Sequence, residues 1–193
     1  MNSRTWMMGL LLIMAVVCSS ALAIVNIKLS PIIEKNNQLQ YMRTVLDVFG
    51  ISYDIMNGDS IIDTYRKEIK ERTAGGLTLF DYQKNHATAV SLDGNGFQAL
   101  ISLVLALDGA TITGFKIVSQ QETPGLGARI TEESFQKSFI GKTVSNGIAL
   151  SKSGSAGPHE FDAITGATET SKALQKILNN GFKRFFEVMK NNG

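Results

Sequence analysis

The chain has 193 residues, of which 44% are hydrophobic and 19% charged, enough apolar content to fill a core and too much for a disordered chain. A net charge of +2, with Lys and Arg spread along the sequence, argues against nucleic acid as a partner. One cysteine, Cys18, and two histidines, His86 and His159, with no ligand spacing between them, argue against a disulfide framework and against a metal enzyme.

In chain order, the first element is an apolar segment. Between Arg4 and Lys28 no charged residue occurs, and about 20 apolar residues suffice to cross the hydrocarbon layer. Trp6 stands where an interfacial aromatic is expected. Ala21-Leu22-Ala23 has the small-x-small form of a signal-peptide cleavage site, but the apolar run continues through Ile24, Val25 and Ile27. Val17 is too bulky for a lipoprotein box ending at Cys18. The expectation is a retained anchor over 1–27. Charge does not orient it outward: Arg4 precedes the span, whereas Lys28, Lys35 and Arg43 follow it.

A connecting helix is expected over 28–50, with Leu39, Met42, Leu46 and Phe49 at helical spacing and Gly50 as its stop. Residues 59–70 predict a second helix capped by Asp59 or Ser60. The pattern then changes to β: Leu77–Tyr82, Ala87–Leu92, Phe97–Leu107 and Thr111–Gln120, joined by the turn signals Asp93-Gly94-Asn95-Gly96 and Asp108-Gly109. The nearly continuous apolar run at 98–107 predicts a central strand covered on both faces, and the short turns imply antiparallel pairing. A helix capped by Thr131 follows, with Phe135 and Phe139 on one side, then a Gly-rich loop over 151–161. A long amphipathic helix from Thr168 to Lys190 closes the chain, with Gly181 as a candidate end or kink. The sum is an α+β domain over 51–193, with an antiparallel sheet and flanking helices, behind a single transmembrane helix.

Two segments carry candidate chemistry. Gln121-Glu122-Thr123-Pro124-Gly125-Leu126-Gly127 directly follows a strand. Asp162-Ala163-Ile164-Thr165-Gly166-Ala167-Thr168-Glu169-Thr170-Ser171 opens the last helix. The second is a tight turn into a helix N-terminus, where free backbone N–H groups and the helix dipole favour an anion. The same residues also suit an ordinary helix start with Thr165 or Thr168 as N-cap, and Glu122-Thr123-Pro124-Gly125 suits a simple β-turn. Local chemistry leaves both readings open.

Together, in this order, the two segments resemble the FMN-binding domain family typified by the G subunit of Rnf complexes and the C subunit of sodium-pumping NADH:quinone oxidoreductases. The family signature of aspartate, two variable residues, Ser or Thr, then Gly-Ala-Thr reads here Asp162-Ala-Ile-Thr165-Gly166-Ala167-Thr168, followed by Thr170-Ser171. The upstream Glu-Thr-Pro-Gly-Leu-Gly is intact at 122–127. The resemblance implies FMN joined covalently through a phosphoester to Thr168. It implies attachment by a flavin transferase that reads Asp162, and a role in electron transport. Further expected contacts are Glu122, Thr123, Leu126, Gly127, Lys142, Thr165, Gly166 and Ala167, with Leu126 and the neighbouring glycines beside the flavin ring. The chain would be an electron-carrying part of a membrane-bound, ion-translocating ferredoxin:NAD oxidoreductase (Rnf) complex, with the C subunit of the quinone reductase as the alternative. Its partners would be the other membrane and redox subunits. It would sit in a bacterial or archaeal cytoplasmic membrane, crossing once, with the domain outside the cytoplasm. A membrane-anchored binding module without flavin, and a flavoprotein feeding a different extracytoplasmic reductase, are the remaining alternatives.

Overall fold

The computed structural model describes residues 3–84, 87–151 and 154–191, with side chains from residue 6 onward. His86 therefore lies outside the described residues, as do Lys152 and Ser153 of the expected loop.

Helix α1 runs without a break over Ser3–Val48. The expected anchor and connecting helix are thus one element, since no glycine interrupts 28–48. Pro31 lies inside it and withdraws only one N–H from the ladder. The apolar part is long enough to cross a membrane, and none of it is buried within the protein. Contacts divide the chain into Met1–Gln40 and a compact unit, Tyr41–Gly193, which takes in the last turns of α1.

Within that unit, α2 spans Gly58–Glu68 and starts slightly earlier than the sequence suggests. Its cap is Asn57, whose side chain accepts from the Asp59 and Ser60 N–H groups, rather than either of those residues. Ile69 and Lys70, expected at the end of this helix, instead open a strand: β1 (Ile69–Ala74) pairs antiparallel with β2 (Leu77–Tyr82). The charged sequence Ile-Lys-Glu-Arg-Thr-Ala hides this strand from pattern reading, because it forms a sheet edge with one exposed side. Strands β3 (Thr88–Asn95), β4 (Leu100–Asp108) and β5 (Thr111–Ser119) continue a five-stranded antiparallel meander in the order β1-β2-β3-β4-β5.

The central strand β4 is covered on both faces, as its apolar run predicts. Ile101, Leu103, Leu105 and Leu107 point into the main core, while Val104 and Ala106 are buried on the opposite side. That opposite side is closed by α2 and the end of α1, where the Tyr41 ring meets Phe80 edge-on at 6.0 Å. The main core is closed by α4 (Thr168–Asn191), which buries Leu174, Ile177, Leu178, Phe182 and Phe185. Gly181 neither ends nor kinks α4. It lies where a β-carbon would strike the buried Leu92 side chain of β3, so the glycine serves helix-to-sheet contact.

The stretch between β5 and α4 holds a 3₁₀ turn (Gly127–Thr131) and the short helix α3 (Glu133–Lys137). Thr131 does not cap α3; its hydroxyl donates to the Ala128 carbonyl instead. Phe139 stacks on Phe115 with centroids 4.3 Å apart and packs against Phe135 and Phe161. The expected Gly-rich loop is bordered by a small parallel pair, β6 (Ala149–Ser151) with β7 (Glu160–Asp162), too short to register as strands in the sequence.

Candidate functional site

The segment that opens α4 folds in a way its composition dictates. Ile164 to Ala167 form a β-turn closed by the Ala167 N–H donating to the Ile164 carbonyl at 2.9 Å. Gly166 occupies its third position at φ 79°, a left-handed backbone that other residues adopt only with strain. Ser171, one turn into the helix, fixes this turn from behind. Its hydroxyl accepts from the Ile164 N–H at 3.0 Å and donates to the Ala167 carbonyl at 3.0 Å. Thr168 thereby becomes the first helical residue, exposed, with no hydrogen bond to its hydroxyl among the described residues. The N–H groups of the first turn have no carbonyl a turn earlier to bond, and they carry the positive end of the helix dipole.

The 122–127 loop meets this helix start. Glu122 is 5% exposed; one carboxylate oxygen accepts from the Thr170 hydroxyl at 2.7 Å, the other from the Gln98 N–H at 2.9 Å. Gly127 lies so close to Thr170 that a β-carbon there would come within 2.5 Å of the Thr170 hydroxyl. Three separated pieces of chain, the β3–β4 turn, the 122–127 loop and the start of α4, therefore converge on one place.

What they enclose is an open cleft of about 360 Å³, lined by Phe97, Glu122, Thr123, Leu126, Gly127 and residues 166–170. Of the residues expected from the sequence, Glu122, Thr123, Leu126, Gly127, Gly166, Ala167 and Thr168 come together there. Thr165 occupies the adjoining turn and does not line the cleft. Lys142 lies elsewhere, its ammonium donating to the Gly157 carbonyl at 3.0 Å. Asp162 lies on β7, and one of its carboxylate oxygens is buried without a partner among the described residues. His159 is exposed and held by its ring nitrogen on the Thr143 carbonyl at 2.9 Å, so it does not serve this cleft.

Sequence reasoning missed Phe97 and the buried role of Thr170. Phe97 is 62% exposed and Leu126 43% exposed, and both line the cleft. The sequence pattern assigns Phe97 to a strand over 97–107, but β4 begins at Leu100 and leaves Phe97 in the β3–β4 turn, where it has no core to fill. Thr170 gave no such signal, because its partner Glu122 is 48 residues away in sequence.

The residues present fit an attached flavin phosphate. A free hydroxyl stands at a helix N-terminus, and apolar side chains stay exposed beside it. No ion-pairing cation is required, since the first-turn N–H groups supply the positive end.

Residues 96–183, which hold the cleft, match the model of the FMN-binding domain family. The relatives are then specific. The chain is 40% identical to the G subunit of the ion-translocating oxidoreductase complex of Methanosarcina acetivorans, over 44% of either chain. It is 25% identical to the C subunit of the Na(+)-translocating NADH-quinone reductase of Haemophilus ducreyi, over 96% of this chain and 90% of that one. The match to the archaeal protein thus spans less than half of that protein's length. Among solved structures, Shewanella oneidensis NqrC superposes with a TM-score of 0.65 at 19% identity, covering 82% of this chain and 99% of that one. The fold is therefore shared with that NqrC structure.

Proposed function

We propose that this protein is an electron-transfer subunit, with FMN held in a phosphoester to Thr168, within a membrane-bound, ion-translocating oxidoreductase. One observation carries the reading. The exposed Thr168 hydroxyl, at the start of a 24-residue helix, shares a cleft with the exposed apolar side chains of Phe97 and Leu126.

Each group has a physical role. Thr168 provides the oxygen that joins the phosphate. The first-turn N–H groups face the phosphate charge, worth about 0.3–1 kcal/mol at an exposed helix end. Phe97 and Leu126 offer apolar surface to a planar ring, and Gly166 and Gly127 keep the backbone close by. When bound, FMN supplies the redox chemistry, and the protein sets its position and surroundings. A shallow, open cleft would lose a free flavin. A covalent link holds it at an effective concentration on the order of millimolar, leaving the ring accessible to redox partners.

Attachment needs a helper. A threonine hydroxyl is a weak nucleophile without a base, and no histidine lines the cleft among the described residues. A flavin transferase would move the FMN moiety from FAD to the Thr168 oxygen, with AMP as the other product, reading Asp162 as it does so. The domain would then lie on the extracytoplasmic side, with α1 as a single-pass anchor. Identity is higher to the G subunit, which favours an Rnf complex. A second reading, the C subunit of a sodium-translocating quinone reductase, draws on the nearly full-length match to the Haemophilus ducreyi protein. The subunits that copurify with the chain distinguish the two.

The decisive measurement is the intact mass of the protein produced with a flavin transferase. The wild-type chain should carry one FMN, and Thr168→Val should carry none while keeping its circular dichroism. Undiminished FMN on Thr168→Val would refute the assignment.

A further inference from the structure

The buried carboxylate of Glu122 has more to do with the shape of the cleft than with its contents. Both of its oxygens are engaged by protein. One accepts from the backbone N–H of Gln98, the residue after Phe97. The other accepts from the hydroxyl of Thr170, two residues after Thr168. Its own N–H is also fixed, donating to the Gln120 side chain at 2.6 Å. The carboxylate therefore bridges the two walls of the cleft and is not directed at an occupant.

Two glycines in different loops mark the same point. A β-carbon at Gly96 would strike one oxygen of Glu122, and a β-carbon at Gly127 would come within 2.8 Å of the other. The β3–β4 turn and the 122–127 loop are both free of side chains where this one carboxylate sits. A group 5% exposed, with its turns cut away around it, is held in one place. Hydrogen bonds to an ionised carboxylate are short and strong, and their loss leaves a buried charge uncompensated.

We propose that Glu122 is a positioning residue that sets the distance between Phe97 and Thr168, and so holds Phe97 against the ring of a flavin tethered at Thr168. This rests on the flavin reading above, but the bridge itself does not. Glu122 ties Gln98 to Thr170 whether or not flavin is attached. With the bridge cut, the β3–β4 turn loses its fixed point on α4 and Phe97 swings away from the ring. Glu122→Gln keeps the bridge. Its amide oxygen still accepts from the Gln98 N–H, and its NH₂ donates to a Thr170 hydroxyl that reverses its role.

The test uses full-length protein matured with the transferase and carrying Phe97→Trp as a reporter, because an indole in contact with isoalloxazine quenches its emission. Flavin emission is read per FMN counted by intact mass. We expect Glu122→Ala and Thr170→Val each to raise emission several-fold over the Phe97→Trp parent, and Glu122→Gln to leave it quenched. In parallel, hydrogen exchange at the Gln98 amide is followed in flavin-free Thr168→Val protein. Glu122→Ala should accelerate it at least tenfold relative to amides of β4, and Glu122→Gln should not. Unchanged emission and unchanged Gln98 exchange in Glu122→Ala would overturn the proposal, as would an equal effect of Glu122→Gln. If wild-type protein matured in the same way carries no FMN, the Thr168 reading fails, and Gln98 exchange alone decides the bridge. Should Glu122→Ala not fold, Thr170→Val and Glu122→Gln give the same comparison.

Discussion

Replacing Gly127 by alanine tests the packing of the cleft directly. The backbone at Gly127 lies outside the left-handed region, so glycine is required there for space alone. A β-carbon would meet the Thr170 hydroxyl at 2.5 Å, and Glu122 at 2.8 and 2.9 Å. Neither neighbour can yield freely, since Thr170 is 3% exposed, Glu122 5% exposed, and the two are bonded to each other. Overpacking such a site costs about 1–3 kcal/mol. Breaking a hydrogen bond to a charged group adds about 1.5–3 kcal/mol. Restricting the unfolded chain returns about 0.4–1 kcal/mol. The balance is a loss of about 3 kcal/mol, or a fall in melting temperature of about 6–12 °C for a chain of this size. Gly125→Ala is the control. Its φ of +75° imposes strain of about 1–2 kcal/mol, partly offset by the same chain restriction, but nothing lies within 4 Å of its β-carbon. Urea titrations of both variants in detergent, read as midpoints at constant slope, should place Gly127→Ala well below Gly125→Ala. A Gly127→Ala loss no larger than that of Gly125→Ala would refute the contact argument.

Asp162→Ala should keep the fold yet lose FMN attachment. Removing a buried acceptor that has no partner among the described residues should change stability by no more than about 1 kcal/mol. Intact mass and thermal melting check the two halves, and full FMN loading would dismiss the role of Asp162 in maturation. Alkaline pH should weaken the domain. Burial first, and then the Glu71 charge and hydrogen bond, raise the Tyr65 phenol above its ordinary value of 10.0. The folded state therefore prefers the neutral phenol. Its contribution is complete below pH 10.0 and declines as pH rises toward the folded-state value. Urea midpoints between about pH 8 and 11 should fall less steeply for Tyr65→Phe than for wild type; an identical slope would discount Tyr65 as a source.

Much of the fold was legible because its pattern is local. The limits of β2, the apolar run of β4, the turn at Asp108-Gly109 and the amphipathic face of α4 all follow from period and turn chemistry. What failed was decided by tertiary context. Strand β1 goes unread, its first two residues taken into the preceding helix, because only its inner side is covered, and Gly181 reads as a breaker because Leu92, its neighbour, is 89 residues away by number. The site divides in the same way. Thr168 and Leu126 stand out in their motifs, whereas the bridge from Glu122 to Thr170 spans 48 residues and leaves no local trace. Lys142 illustrates the converse: a cation near a motif in sequence is spent on the Gly157 carbonyl.

The first strand has one more consequence. As the outer member of the sheet, β1 leaves its unpaired side open to another chain, which is how sheets recruit partners and aggregate. Lys70, Glu71 and Arg72 line that strand, with Lys70 and Glu71 exposed and Arg72 tied to Asp81 of β2 at 2.5 Å. An incoming strand would have to dehydrate these charges to add its ladder. The same residues that conceal β1 from pattern reading thus discourage two copies from zipping together along their rims.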